Sequence, residues 1–446
     1  MIPAYLPHPV AIRFGKLYKR GRYVAQSRSW RVVKNFSPRC LVSFGYHRLA
    51  LLCLLASVAH AQIFLNSTGK NARLVGTDEA VLEAGDPRTD LPCAVSHPKP
   101  ILGFDLRFHA RYEVTVPMRE LAGGENLLSI LFRVTPLDAA GKGSDSATYF
   151  TQKLRVPSIE EDAKGDAFLE GSFDVGEGKF KVEWLMRDRA ERVCSDSWQS
   201  EASLPAKDRE MNLMIAPARI AITEPEQFRD EPPIERQSAP GLQVKVLVNF
   251  APQNARSATL QPFDTSALVS ILRSISRDPR IAHFSVVAFN MHDQKVIYKQ
   301  ENSEKIDFPA IGKALETLKL GTVDLARLAN KHSETEFLET LLKTELASLQ
   351  SDAVIFAGPK ALLEQNVSQE TLRGVGQVSM PVFYMNYNLT PQTSPWRDAI
   401  GHAVKFMRGV EYTISRPRDL WYSVSEMVTQ IVKQRNSRAS NSAVGQ

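Results

Sequence analysis

The residues able to do chemistry are few, and their spacing excludes more than it suggests. Cys93 and Cys194 are the cysteines that remain once Cys40 and Cys53, in an N-terminal segment expected to be lost, are set aside. An even pair in an exported domain favours a disulfide over two buried thiols. No C-x-x-C and no Cys/His cluster with zinc spacing occurs, so a metal role for these cysteines is not expected. The sequence also lacks G-x-S-x-G, H-E-x-x-H and the phosphate-cradling G-x-x-x-x-G-K, and with them the usual signatures of acyl transfer, zinc proteolysis and nucleotide binding. Gly374-Val375-Gly376 has neither a third glycine nor a strand–helix setting, and reads as a loop. The six histidines after residue 61 show no catalytic spacing, and His283 and His402 read as surface or packing residues. Asp264, in Phe263-Asp264-Thr265-Ser266, can cap a helix, or it can offer a carboxylate from the loop after a strand. Glu334, Glu336 and Glu339 suit the start of a helix and need no further role.

The elements that would position these residues fall into two textures. From 62 to 222, short runs rich in β-branched and aromatic residues alternate with glycine turns. The runs are Phe104–Phe108, Tyr112–Val116, Leu127–Val134, Tyr149–Val156, Phe168–Val175, Lys179–Arg187 and Met211–Ile222. Many strands without long helical patterns predict an antiparallel sandwich, immunoglobulin-like in its hairpins. Residues 223–241 hold four prolines and few large apolar side chains, and read as a linker.

After the linker, Val244–Phe250 is a near-continuous apolar run, as a parallel strand buried on both faces requires. A helix beginning near Asp264 follows, then a strand at Phe284–Asn290 with a hairpin partner at Lys295–Tyr298. Helices are expected at Ala310–Leu318, Glu336–Leu349, Gln369–Arg373, Trp396–Met407 and Arg418–Lys433. Strands are expected at Ala353–Ala357 and Val382–Tyr387. This alternation predicts a doubly wound, Rossmann-like α/β domain over 242–436, with a disordered polar tail at 437–446. Phe383, Tyr384, Tyr387, Trp396, Tyr412, Trp421 and Tyr422 are mostly core by this pattern. An exposed subset around Asn386–Trp396 would suit a protein contact.

The charge distribution argues against nucleic acid, and the N-terminal arm ends in an expected export signal. Of the 55 Lys and Arg residues, ten lie in residues 1–61, which contain no Asp or Glu. The remainder carries 45 basic and 49 acidic residues, a net charge of −4. The basic excess therefore belongs to the N-terminal arm, and no nucleic-acid partner is expected. Leu49–Val58 is a short apolar core after His47 and Arg48, followed by Ala59-His60-Ala61, the three parts of a secretory signal. The segment is too short to span a bilayer, so no stable membrane insertion is expected after cleavage behind Ala61. A buried helix or membrane anchor is the competing reading of 47–61. The basic extension 1–46 is unusually long. Either translation starts downstream, near Leu41 or Val42, or an organelle transit peptide precedes the domain. The expected location is periplasmic or secreted.

The C-terminal half resembles the von Willebrand factor type A family over about 242–436. The likeness lies in a hydrophobic first strand, an amphipathic helix, a two-stranded hairpin and alternating helices and strands. In that family the first strand ends in Asp-x-Ser-x-Ser, a loop Thr follows, and a later strand ends in Asp; together they hold a divalent cation. The resemblance places these functions on Asn249, Ala251 and Gln253, on Thr322 or Thr335, and on Ala357. An amide and a methyl replace anionic and hydroxyl ligands there, so a degenerate site without metal or other cofactor is expected, unless Asp264 substitutes. The expectation is an exported, non-enzymatic protein that binds an unknown protein partner; the alternative is an exported hydrolase or carbohydrate-active enzyme with an unrecognised site.

Overall fold

Strict alternation of inward and outward residues builds the N-terminal half. In the computed structural model, the residues described are 11–14, 62–64, 76–144, 147–223, 227–237, 241–254, 257, 259–318, 332–346, 351–363, 365–374, 380–389 and 398–444. The first strands are β1 (Ala11–Phe14), β2 (Gln62–Phe64), β3 (Ala94–Ser96), β4 (Ile101–Leu102), β5 (Phe108–Pro117) and β6 (Asn126–Leu137). They continue with β7 (Thr148–Val156), β8 (Asp166–Val175), β9 (Gly178–Arg187), β10 (Val193–Ala202) and β11 (Ile220–Ile222). One antiparallel sheet runs β1-β8-β5-β3, with β11 also on β8 and β4 also on β5; the other runs β10-β9-β6-β7-β2. Phe180, Val182, Trp184 and Met186 of β9 point inward and share one core with Tyr112, Phe132, Phe150 and Phe173. Two-residue periodicity sends Leu185 to the opposite face, where Leu82 of helix α1 (Gly76–Ala84) covers it.

The expected Cys93–Cys194 disulfide is present, with the Cα atoms 6.3 Å apart. It ties the segment before β3 to β10, and Leu91 N donates to Val193 O beside it.

The C-terminal half is a six-stranded mixed sheet. Its strands are β12 (Leu242–Asn249), β13 (Ile281–Asn290), β14 (Lys295–Ser303), β15 (Ala353–Gly358), β16 (Val382–Tyr387) and β17 (Val410–Ile414). The order is β14-β13-β12-β15-β16-β17, with β14 antiparallel to β13 and the other pairs parallel. Helices α2 (Pro262–Ser276), α3 (Phe308–Leu315) and α7 (Pro417–Val444) pack on the face carrying Val244, Val246 and Val248. Helices α4 (Ser333–Leu346), α5 (Gln369–Gly374) and α6 (Ala399–Phe406) pack on the face carrying Leu247, Val287 and Phe289. The chain is thus β-rich, with three sheets. No helix among the described residues is long and apolar enough to cross a membrane.

Several expectations need correction. Phe104–Leu106 form a turn rather than a strand, because Leu106 takes φ +61° and Leu106 N bonds back to Gly103 O, and β5 starts only at Phe108. Met211–Ile222 is extended in a sheet only at β11. Helix α7 runs on to Val444, with Arg435 Nη1 donating to Gly241 O before the polar stretch begins. The linker is no loose tether over 227–237. Glu231 pairs with Arg273 and Arg277, Arg236 donates to the carbonyls of Ser276 and Asp278, and Gln237 N donates to Pro279 O. The extension 1–46 also contributes β1. β11 covers only Phe173–Val175 on that side of β8, and β1 pairs with the open edge at Ala167–Glu170. The signal segment 47–61 lies outside the described residues.

Candidate functional site

The carboxyl edge of the mixed sheet brings the residues of interest together. The strand order reverses between β12 and β15, and the chain leaves β12 through α2 on one face and reaches β15 from α4 on the other. Asn249 ends β12 and is buried; its Oδ1 accepts from Met291 N at 3.1 Å. Gly358, which ends β15 at φ +152°, presses against it, and a Cβ there would lie 2.8 Å from Asn249 Cβ. Only glycine meets both demands.

Gln253 spans the gap toward β16. Its Nε2 donates to Asn388 Oδ1 at 3.0 Å, and its Oε1 accepts from Leu389 N at 2.9 Å. Asp264 sits beneath, fully buried. It is the third residue of α2 rather than the cap itself: Oδ2 accepts from Gln261 N at 3.1 Å, closing the helix start. Oδ1 accepts from Gln253 N at 3.2 Å and from the Tyr387 hydroxyl at 2.9 Å. Burial raises the Asp264 pKa, and these donors work against that rise. The cap and the carboxylate beside Gln253 are therefore one residue in both roles.

Of the other family positions, Ala251 contributes a buried methyl, and its carbonyl lies 3.3 Å from the Tyr387 hydroxyl. Ala357 is buried within β15. Thr335 is at the start of α4, where Oγ1 donates to Gln365 O at 3.2 Å. Thr322 lies outside the described residues. This donor set does not fit a divalent cation: Asn249 Oδ1 accepts from Met291 N, Gln253 is engaged with Asn388 and Leu389, and both Asp264 oxygens already accept from protein donors.

A second group lies one strand further along, and sequence reasoning missed it. Asp398 caps α6, its Oδ1 accepting from Ile400 N and Ala361 N, each at 3.1 Å. Glu411 projects from β17 opposite Tyr384, and Asn386 Nδ2 donates to Glu411 Oε1 at 3.2 Å. Burial, helped by the Glu411 charge and opposed by backbone donors and Lys360, raises Asp398 to about 6. A cavity of about 510 Å³ opens beside the pair, bordered by Lys360, His402 and Lys405. The available signal was Asp398 directly before an amphipathic run. Glu411 sits on β17, a five-residue edge strand that reads as a loop between two helices.

A third group sits in the sandwich. Among the described residues, Asp105, His109 and Asp174 are the one set of three His, Cys, Asp or Glu side chains whose ligand atoms lie within 4.8 Å of one another. The His109 ring is held between them, with Nδ1 2.8 Å from Asp174 Oδ1 and Nε2 3.1 Å from Asp105 Oδ1. Burial disfavours the charged ring, yet the two carboxylates outweigh it and raise His109 to about 10. Each ring nitrogen faces a carboxylate oxygen, an acceptor, so both are placed to donate, as in an imidazolium bridge.

No family model matches the chain, and no curated protein matches it. Among solved structures, red sea bream transglutaminase aligns at 15% identity and a TM-score of 0.18, over 29% of this chain and 18% of that one. A DNA-bound alkylpurine DNA glycosylase from Pseudomonas fluorescens aligns at 15% identity and a TM-score of 0.16, over 25% of this chain and 30% of that one. Bacteroides uniformis beta-glucuronidase 2 aligns at 8% identity and a TM-score of 0.17, over 71% of this chain and 38% of that one. The chain thus spans well under half the length of each, and likenesses this weak do not bear on its activity.

Proposed function

We propose that the chain is an exported, non-enzymatic interaction protein. Its C-terminal half is read as a doubly wound, degenerate von Willebrand factor type A domain that recognises a protein partner without a bridging metal, while the immunoglobulin-like sandwich supports it. The observation that carries this reading is the amide closure at the carboxyl edge: Gln253 bonds to Asn388 and Leu389, and Tyr387 occupies Asp264. The reversal of strand order between β12 and β15, with helices on both faces, supports the domain assignment. In open α/β sheets, ligands bind outside the carboxyl ends at such a reversal. Leu362, four residues past β15 and 48% exposed, offers an apolar contact there. The disulfide and the expected signal at 47–61 support export.

Immobilised protein should retain a partner from the extracytoplasmic proteins of its source in the presence of EDTA. L362D should abolish retention, and V296D, on β14 at the far side of the sheet, should not. Retention that requires a divalent cation, or that ignores L362D, overturns the reading.

The hydrolase alternative draws support from one feature, a buried carboxyl raised to about 6 beside a second carboxylate, which is suited to general acid catalysis. Turnover of a glycoside or ester that disappears in D398N would favour it.

A further inference from the structure

We infer that Asp398, Glu411 and Asn386 form a binding site for a divalent cation beneath the start of α6, separate from the closed edge at Asn249. The carboxyl of Asp398 is fixed by two backbone donors on Oδ1; no hydrogen bond of ordinary geometry reaches the buried Oδ2, although the Gly401 amide and the Tyr384 hydroxyl lie close to the carboxyl. Glu411 pairs across the sheet with Tyr384, so both side chains face α6, and Asn386, two residues beyond Tyr384, faces the same way. Asn386 is fully buried. Its Nδ2 is spent on Glu411 Oε1, and its Oδ1 has no partner. A wholly buried amide oxygen with nothing to accept from is costly unless a ligand fills it.

The geometry supplies the place. A Cβ added to Gly401 would lie 2.8 Å from Asp398 Oδ2 and 3.4 Å from Glu411 Oε2, so both carboxylates reach the same small volume, which glycine leaves open. Two carboxylate oxygens and an amide oxygen are the donors that hard dications take, with water completing the shell from the adjoining cavity. A double positive charge also relieves the repulsion between the part-buried Asp398 and the exposed Glu411. Lys360 and Lys405 at the cavity weaken the attraction, so affinity on the order of 10⁻⁴ M is expected, as in extracellular calcium modules.

The test is calorimetric titration of the purified full chain with MnCl₂ and, separately, CaCl₂. The expected result is a single site, weakened by about tenfold or more in both D398N and E411Q because each removes an anionic ligand. E301Q, at an exposed carboxylate of β14, should bind as the parent does, and thermal melts of each variant establish that it is folded. Absence of binding heat up to millimolar cation, or binding that survives both D398N and E411Q, overturns the inference. Binding lost only in D264N would overturn it too, and would also defeat the metal-independent reading of the edge. Loss in D398N and E411Q with E301Q unaffected leaves that reading standing.

Discussion

The Tyr387 hydroxyl and the Asp264 carboxylate, 123 residues apart in sequence, meet at 2.9 Å across the carboxyl edge of the mixed sheet. The bond joins the end of β16 to the first turn of α2, on the residue that also closes that helix start. Y387F should keep the ring packing and leave a buried acceptor short of one donor, costing about 1–2 kcal/mol. Urea melts of the two proteins measure this. Superimposable curves would mean that the hydroxyl contributes nothing to the closed edge.

Glu231 anchors the segment between the halves. With a side chain 9% exposed, it pairs with Arg273 at 2.7 Å and Arg277 at 2.6 Å. E231A would leave two part-buried guanidinium groups uncompensated, a loss of about 3–5 kcal/mol for a buried pair. The parent should resist trypsin at Arg229 and Arg236, and E231A should be cut there. Rapid cleavage of the parent would show that the anchoring does not hold in solution.

His109 predicts a loss of stability in alkali. Its folded pKa, about 10, lies above the ordinary value of 6.5. The stabilisation is therefore fully present below about 6.5 and disappears as pH rises through 10. H109Q should remove this part of the pH profile, as followed by denaturant melts between pH 6 and 10.5. A parent curve as flat as that of H109Q would contradict the charged bridge.

Asp398 works in the opposite sense. Its folded pKa of about 6 exceeds the ordinary 3.8, so ionisation weighs against the fold, and in chelator stability should fall as pH rises from about 4 to 6. D398N should lose that fall while keeping an acceptor for Ile400 N. D398A should be destabilised by about 1 kcal/mol through loss of the helix cap. Equal melting of D398N and D398A at neutral pH would count against the assignment.

The Cys93–Cys194 bond closes a loop with a sequence separation of 101. Reduction should lower stability by about 2–5 kcal/mol, readable as a fall in melting temperature under a thiol reductant. An unchanged melt would mean that the sandwich does not depend on the bond.

What was legible in the sequence followed from periodicity and burial. Val382–Tyr387 is recovered to the residue, because a six-residue run that is apolar or aromatic but for Asn386, and buried on both faces, is too short for a helix. The alternation in Lys179–Arg187 likewise gives its strand and inward face. The polar strand β10, Val-Cys-Ser-Asp-Ser-Trp-Gln-Ser-Glu-Ala, was not legible. It lies at the edge of its sheet and carries little apolar signal, and its order comes from ten residues paired with β9. The Asp398–Glu411 pair was hidden for a related reason: thirteen positions and an unpredicted strand separate the two, and only the register of β17 against β16 brings Glu411 under α6. The tail showed polarity without revealing that a packed helix could carry it onward. Conversely, the positions Asn249, Ala251 and Gln253 were readable as lacking anionic ligands, but nothing in their spacing foretold that Asn388 and Tyr387 would close over them.

Phe104, at the turn before β5, packs into the core of the mixed sheet, while Trp421 of α7 packs against the core of the sandwich, and Arg418 reaches Asp208 at 3.0 Å alongside. Each half thus lends an aromatic side chain to the other. A force applied at the carboxyl edge of the mixed sheet would pass into the sandwich through interlocked side chains instead of swivelling about a hinge. Rotation of one half against the other would have to pull both rings from their cores and break the Arg418–Asp208 pair.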